Sequence, residues 1–262
     1  MSIMRNIYLT LVALFLIGPI VVITSVSFNS KNFLSFPPKG FSFRWFVEIF
    51  ANEEWFSALS YSIIIAFLSA LLAVVTALPV AYAAWRYGIR YAKALLSLGI
   101  APFILPPVIM ALAFLLFFTT SGMYGWFVSV IISHTIFLLA LPLVTISLGL
   151  ESIDRSLLEA SSTLGADDKI AFRTVILPLA LPYVIAGFAF CFVLSLNEYI
   201  IALMTVGFTY ETLPIKIFNA IRYGYTPVIA SIAVLFLVIN VVIFGLIARF
   251  GNLPRMLGAL ED

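Results

Sequence analysis

Three sets of residues in this chain could do chemistry: the carboxylate of Glu198 beside Asn197, the lone imidazole of His134, and a polar segment from Glu159 to Pro178. Glu198 and Asn197 lie in a long apolar run, where Cys191, Leu194 and Ala202 share the side of Glu198 if the run is one helix. A carboxylate in hydrocarbon is costly and normally faces a protein interior or a water-filled cavity. Glu198 is therefore expected to draw a cation into a pathway, or else to pair with a basic residue of a neighbouring subunit or sit at the outer interface. His134 is the only histidine, which excludes paired-histidine haem ligation and a His-Glu-x-x-His zinc site. A serine–histidine hydrolase using Ser133 or another serine stays open on residue types alone, although no Gly-x-Ser-x-Gly elbow accompanies it. The expected role of His134 is that of a packed, hydrogen-bonded helix residue. Cys191 is the single cysteine, so there is no intramolecular disulfide and no metal-type cysteine spacing.

The segment from Glu159 to Pro178 reads as a Gly-hinged hairpin between apolar runs. Ser156 to Leu164 is expected to form a short helix with Leu157, Leu158, Ser161 and Leu164 on one side. Ser156 followed three residues later by Glu159 fits a capping box, in which the carboxylate reaches back to an orphan N–H. Gly165 suits the left-handed residue that ends a helix, and Asp167 and Asp168 suit the start of the next. Pro178 and Pro182 fit the head of the following apolar run, where a missing N–H does little harm. Such a hairpin, kept outside lipid, points to contact with a partner.

The elements that must position these groups are membrane helices. Of 262 residues, 63% are apolar and only 10% charged, with Phe alone contributing 25, too few charges to cover a soluble domain of this length. The net charge of +2 is small and dispersed, which gives no reason to expect nucleic acid as a partner. About 20 apolar residues cross the hydrocarbon, and six runs qualify, near 7–28, 58–85, 94–118, 125–150, 179–205 and 227–248, with a hairpin over 151–178. The first run is long and holds Pro19, with no obvious cleavage site after it, and reads as a retained anchor. Pro106-Pro107 should kink or break the third run. Ala66, Ala70, Ala73, Ala77, Ala81 and Ala84 recur every three or four residues on the second, a stripe that lets helices approach closely. One set of flanks holds Arg5, Arg86, Arg90, Lys93, Arg155, Lys169, Arg173, Arg249 and Arg255; the opposite set holds Lys31, Lys39, Arg44, Lys216 and Arg222. Nine against five places both termini and the hairpin in the cytoplasm.

The hairpin resembles the cytoplasmic signature of membrane subunits of bacterial binding-protein-dependent ABC importers: Glu-Ala-Ala, three residues, Gly, nine residues, Ile, one residue, Leu-Pro. Glu159, Ala160, Gly165, Leu177 and Pro178 match it, while Ser161 stands for the second alanine and Val175 for the isoleucine. With Ser195-Leu196-Asn197-Glu198, Thr212-Leu213-Pro214 and the six-run layout, nearly the whole chain is similar to the smaller permease subunit of spermidine/putrescine-type importers. That resemblance implies an all-α membrane protein with six transmembrane helices, the type I importer permease fold, and a cytoplasmic coupling helix in a bacterial inner membrane. It implies a second permease, a different homologous chain, and two cytoplasmic ATPase subunits that bind ATP and Mg. It also implies an extracytoplasmic binding protein that delivers a small polar solute, a polyamine or related amine. Glu159, Ala160, Ser161, Gly165, Leu177 and Pro178 would couple to the ATPases, and Glu198 and Asn197 would face the substrate pathway. This chain has no Gly-x4-Gly-Lys-Ser/Thr loop to cradle phosphates, so no nucleotide cofactor is expected in it and it is not expected to be an enzyme. Pro107 stands where polyamine permeases often carry an acidic residue, which leaves other small amines and amino-acid derivatives open. The alternatives are a carrier or channel driven by an ion gradient with Glu198 as its ion site, and a structural scaffold.

Overall fold

The computed structural model describes residues 2–207, 209–223 and 226–250. Among these the chain is helical apart from turns, loops and one isolated bridge between Asn29 and Phe41. In chain order the helices are α1 (Ser2–Ser27), α2 (Arg44–Ala51), α3 (Glu53–Tyr87), α4 (Arg90–Ile104), α5 (Pro107–Thr120), α6 (Phe127–Leu138), α7 (Ala140–Glu151), α8 (Arg155–Thr163), α9 (Asp168–Ala171), α10 (Leu177–Asn197), α11 (Ile200–Val206), α12 (Leu213–Tyr223) and α13 (Val228–Phe250). A π-helical turn, Phe172–Ile176, joins α9 to α10. Four stretches are long and apolar enough to cross a bilayer: Met4–Ser27, Glu53–Tyr87, Asp168–Asn197 and Val228–Ile247. The bent pairs α4 with α5 and α6 with α7 raise the number to as many as six if each is one crossing.

The breaks follow the prolines. Leu105 precedes Pro106 and Pro106 precedes Pro107, and both are extended (ψ 145° and 135°), since the residue before a proline is pushed out of the helical region. The run expected over 94–118 is therefore two arms at 107°, a sharper change than a kink. The 44° bend between α6 and α7 lies just before Pro142, which has no N–H for the carbonyl of Leu138 and whose ring crowds it. The π-helical turn ends just before Pro178, whose ring would crowd the carbonyl of Thr174 in an α-helical turn. The run expected over 179–205 also divides, into α10 and α11. The stretches between the first two and the last two expected runs contain α2 and α12. Arg255, counted above for orientation, lies outside the described residues.

The chain forms two compact units. The first holds the chain up to Leu59 together with Lys216–Val241. Within it the buried Asn29 organises the loop after α1: its Oδ1 accepts from the N–H groups of Lys31 and Lys39, and its Nδ2 donates to Ser35 Oγ at 2.9 Å. Ser231 Oγ of α13 donates to the Ser27 carbonyl at 3.2 Å. Lys216 Nζ pairs with Glu54 Oε2 at 2.9 Å and lies over the Trp55 ring.

The second unit holds Ser60–Ile215 together with α13 from Val242. Its centre is the alanine stripe of α3: Ala66, Ala70, Ala73, Ala77, Ala81 and Ala84 are all buried. Ala70 and Ala73 pack with Phe114, Phe118, Phe137 and Cys191; Ala77 and Ala81 pack with Leu143, Ile146, Leu150 and Ile176. Small residues let backbones meet without a hydrophobic drive between helices in lipid. α7 and α10 do the same through Gly187, where a Cβ would lie 2.8 Å from Pro142 Cα.

Candidate functional site

The hairpin begins where α7 ends. Asp154 is extended (ψ 126°) and its Oδ1 accepts the Ser156 N–H at 2.9 Å, which caps α8. This backbone bond holds the Asp154 carboxyl below the usual carboxylate range. Asp154, not Ser156, is thus the cap, and the expected Ser156/Glu159 capping box does not form. Glu159 is exposed, and its carboxylate has no hydrogen-bond or ion-pair partner among the described residues.

The other end closes as a Schellman turn. Ala166 N–H donates to the Ser161 carbonyl and Gly165 N–H to the Ser162 carbonyl, both at 3.0 Å. The turn needs Gly165 at φ 83°, a left-handed conformation that glycine takes without steric cost. Asp167 then caps α9, its Oδ1 accepting from Ile170 N–H at 2.7 Å.

Of the four residues expected on one side of α8, only two face inward. Leu158 is 6% exposed and joins the cluster of Ala77, Ala81, Leu143, Ile146 and Ile176, and Ser161 is buried with its hydroxyl on the Leu158 carbonyl. Leu157 is exposed, and Leu164 is 88% exposed. The helix is too short to bury both edges of a wide apolar stripe, which leaves Leu157, Glu159, Ala160 and Leu164 facing out. Leu177 is half-buried. Pro178 borders an apolar groove of 510 Å³ with Phe67, Leu181, Ile185 and Leu246.

Beside α8 lies a polar cleft of 290 Å³ lined by Trp85, Arg86, Arg155, Leu158, Glu159 and Ser162. Arg86 Nη2 also donates to Asp168 Oδ1 at 2.8 Å, and the Tyr87 hydroxyl approaches Asp168 Oδ2 at 3.4 Å. Sequence reasoning missed Asp154, Arg86 and Arg155. The signal for Asp154 was present, an aspartate one residue ahead of the helical run.

At the far end of α10, 21 residues away and about 30 Å along the axis, stands the second group. Glu198 is not a helix residue: it is extended (ψ 127°) and ends α10, so Cys191, Leu194 and Ala202 do not share one helical side with it. Its carboxylate instead accepts from Ile201 N–H at 2.8 Å and Ala202 N–H at 2.9 Å, capping α11. His134 Nε2 lies 3.2 Å from Glu198 Oε2, at ion-pair distance but poorly aligned for a hydrogen bond, and Nδ1 lies 2.7 Å from Ser195 Oγ. The expected packed histidine is thus found, with a partner that sequence did not assign. The order serine, histidine, carboxylate is that of a hydrolytic triad. Ser195 is only 4% exposed, however, and the carboxylate is engaged by two backbone donors, so no substrate carbonyl reaches the hydroxyl. Ser133 donates to the Ser129 carbonyl instead. Asn197, adjacent, is exposed, with its Nδ2 on the Val193 carbonyl at 2.7 Å.

Comparison with known proteins gives these two sites a setting. The chain is 34% identical to the spermidine/putrescine transport system permease protein PotC of Haemophilus influenzae, over 95% of this chain and 98% of that protein. It is 32% identical to the putrescine transport system permease protein PotI of Escherichia coli, over 89% and 85% of the two. A chain of a bacterial ABC transporter involved in the import of the acidic polysaccharide alginate superposes with a TM-score of 0.70 at 17% identity, covering 95% of this chain and 96% of that one. The methionine ABC transporter MetNI in an inward-facing conformation matches with a TM-score of 0.60 at 19% identity, over 78% of this chain and 95% of its own. The fold is that of ABC importer permeases. Residues 77–253, which include both α8 and the α10–α11 break, match the model of one family, and this chain belongs to it: the binding-protein-dependent transport system inner membrane components.

Proposed function

We propose that this chain is one of two permease subunits of an ATP-driven importer of polyamines or related small amines, and that α8 receives the force. The observation that carries this reading is the double character of α8. One edge, Leu158 and Ser161, is built into the core of the spans; the other, Leu157, Glu159, Ala160 and Leu164, faces out, and the Glu159 carboxylate has no partner among the described residues. A helix held this way transmits displacement, because packed clusters move between discrete arrangements and do not deform continuously. Gly165 sets its end, and Leu177 and Pro178 carry the hairpin into α10.

In this reading the hairpin and both termini are cytoplasmic, which the Lys and Arg distribution supports. ATP and Mg are held by two cytoplasmic ATPase subunits, the second permease is a different homologous chain, and a binding protein delivers the solute from outside. The amine assignment rests on the likeness to the polyamine permeases PotC and PotI, and Glu198 with Asn197 marks the solute's path. Membership of an importer permease family favours this reading over a carrier driven by an ion gradient.

Co-expression of this chain with the remaining subunits in inverted and right-side-out vesicles tests it. ATP-dependent accumulation of putrescine or spermidine, absent when the ATPase subunit is omitted, is expected. Uptake by this polypeptide alone under a proton or sodium gradient would contradict the proposal.

A further inference from the structure

We infer that His134 is a positioning residue for transport: acting through Glu198, it holds the break between α10 and α11 and so fixes the C-terminal end of α10, where Asn197 is exposed, toward a cationic solute. The second half rests on the amine reading above; the first does not.

The break is built from buried polar groups. α11 begins in the interior, with Ile201, Ala202, Thr205 and Val206 buried, so its first N–H groups have no water to bond. The Glu198 carboxylate supplies the acceptors for Ile201 and Ala202, yet its side chain is only 8% exposed. A buried carboxylate is steadied by a further polar neighbour. The one beside it is His134 of α6, whose Nε2 lies 3.2 Å from Oε2.

A carboxylate only accepts, so the tautomer with its proton on Nε2 is the one that suits this approach, and Nδ1 then meets the Ser195 hydroxyl at 2.7 Å. Ser195 is on α10, ahead of the break, and Glu198 is in it. One imidazole therefore touches both the end of α10 and the residue in the break that caps α11. Without it, the carboxylate would keep its backbone donors but lose the anchor that sets its direction.

What the break exposes is the end of a helix. The Ser195 carbonyl accepts from Glu198 N–H at 3.3 Å, and the rest of the last turn of α10 carries the negative end of the helix dipole. Leu194 and Asn197 are exposed there, and Asn197 Oδ1 has no partner among the described residues. Interrupted membrane helices offer such ends to ions and charged solutes. Since the carboxylate oxygens of Glu198 are already engaged, the cation meets the carbonyl end and Asn197, and Glu198 acts behind them.

The test is thiol labelling of Asn197→Cys in a Cys191→Ala chain, within the assembled importer in native membranes. Two small membrane-impermeant methanethiosulfonates of similar size, one cationic and one anionic, are applied from outside. The cationic reagent is expected to react about fivefold faster after correction for their rates with a free thiol, the size of effect a helix end gives. His134→Leu should bring that ratio to about one. His134→Gln, whose amide can face both Glu198 and Ser195, should retain most of it.

Should His134→Leu fail to insert, Ser195→Ala, which leaves the Glu198 contact intact, should lower the ratio only partly. Equal ratios in wild type, His134→Leu and Ser195→Ala would overturn the inference, as would a thiol at position 197 that neither reagent reaches. Labelling needs no solute. Membranes that show the expected pattern but import no putrescine would refute the amine reading alone and leave the positioning role standing.

Discussion

Arg86 Nη2 donates to Asp168 Oδ1 at 2.8 Å, which pins the last turn of α3 to the first residue of α9, 82 positions along the chain. The far side of the hairpin is thereby tied to the helix that carries the alanine stripe. Since the pair is only partly covered, its value lies in register more than in stability. Arg86→Asp should reduce ATP-driven uptake with little change in the amount of inserted protein, and Asp168→Arg in the same chain should restore part of it. Uptake that is the same in both single variants and in wild type would separate the pair from transmission.

Gly165 offers a graded test of the hairpin. A Cβ there would meet nothing within 4 Å, so Gly165→Ala carries only the backbone penalty of φ 83°. That penalty is about 1 kcal/mol, or about a fivefold loss of uptake at most. Gly165→Asp and Glu159→Lys also change the charge presented beside α8, and both should abolish ATP-coupled uptake while the subunit still inserts. Equal losses in Gly165→Ala and Gly165→Asp would mean that only the turn matters.

The approach of α7 to α10 can be weighed in the same way. Gly187→Ala would put a methyl 2.5 Å from Thr145 Oγ1 and 2.8 Å from Pro142 Cα, and backbone cannot rotate away. A loss of about 1–3 kcal/mol is expected, visible as a lower unfolding midpoint in mild detergent. Gly245→Ala, with nothing within 4 Å, is the control and should leave the midpoint in place.

The cap of α8 sets a pH dependence. The Asp154 carboxyl titrates below its unfolded value because the ionised form accepts the Ser156 N–H. Its contribution to α8 is therefore present above the ordinary aspartate pKa, about 3.9, and is lost as pH falls through the lowered folded value. Amide exchange at the first turn of α8 should stay slow through mildly acidic pH and rise only below that range. In Asp154→Ala it should be fast at every pH, and in Asp154→Ser, which keeps a capping oxygen, intermediate.

Local features were legible in the sequence and distant ones were not. The alanine stripe of α3 recurs at helical spacing, Gly165 needs only its neighbours, and Pro106-Pro107 acts on the residues just before them. Pro142 carries the same kind of signal for the bend between α6 and α7, inside the run expected over 125–150. The capping box failed because Asp154 lies nearer the chain's turn from extended to helical and its carboxylate reaches the first N–H groups. The role of Glu198 was hidden for a different reason. Its partner His134 lies on α6, 64 positions earlier, and the apolar residues on both sides of Glu198 look alike whether a helix runs through or stops. The alginate importer makes the limit plain, since the same fold serves a transporter of an acidic solute. Charge preference therefore has to come from particular groups, and not from the architecture.

In the proposed function a cytoplasmic ATPase presses on α8. The most direct measurement of that contact is cross-linking from Glu159→Cys in the Cys191→Ala chain, using a bifunctional thiol reagent in the assembled importer. The account predicts a covalent product with the ATPase subunit, formed at different rates with ATP trapped and without nucleotide, and protection of position 159 from reagents applied outside. A cysteine at 159 that is modified by impermeant reagents from the external face, or that never joins the ATPase in either state, would contradict it.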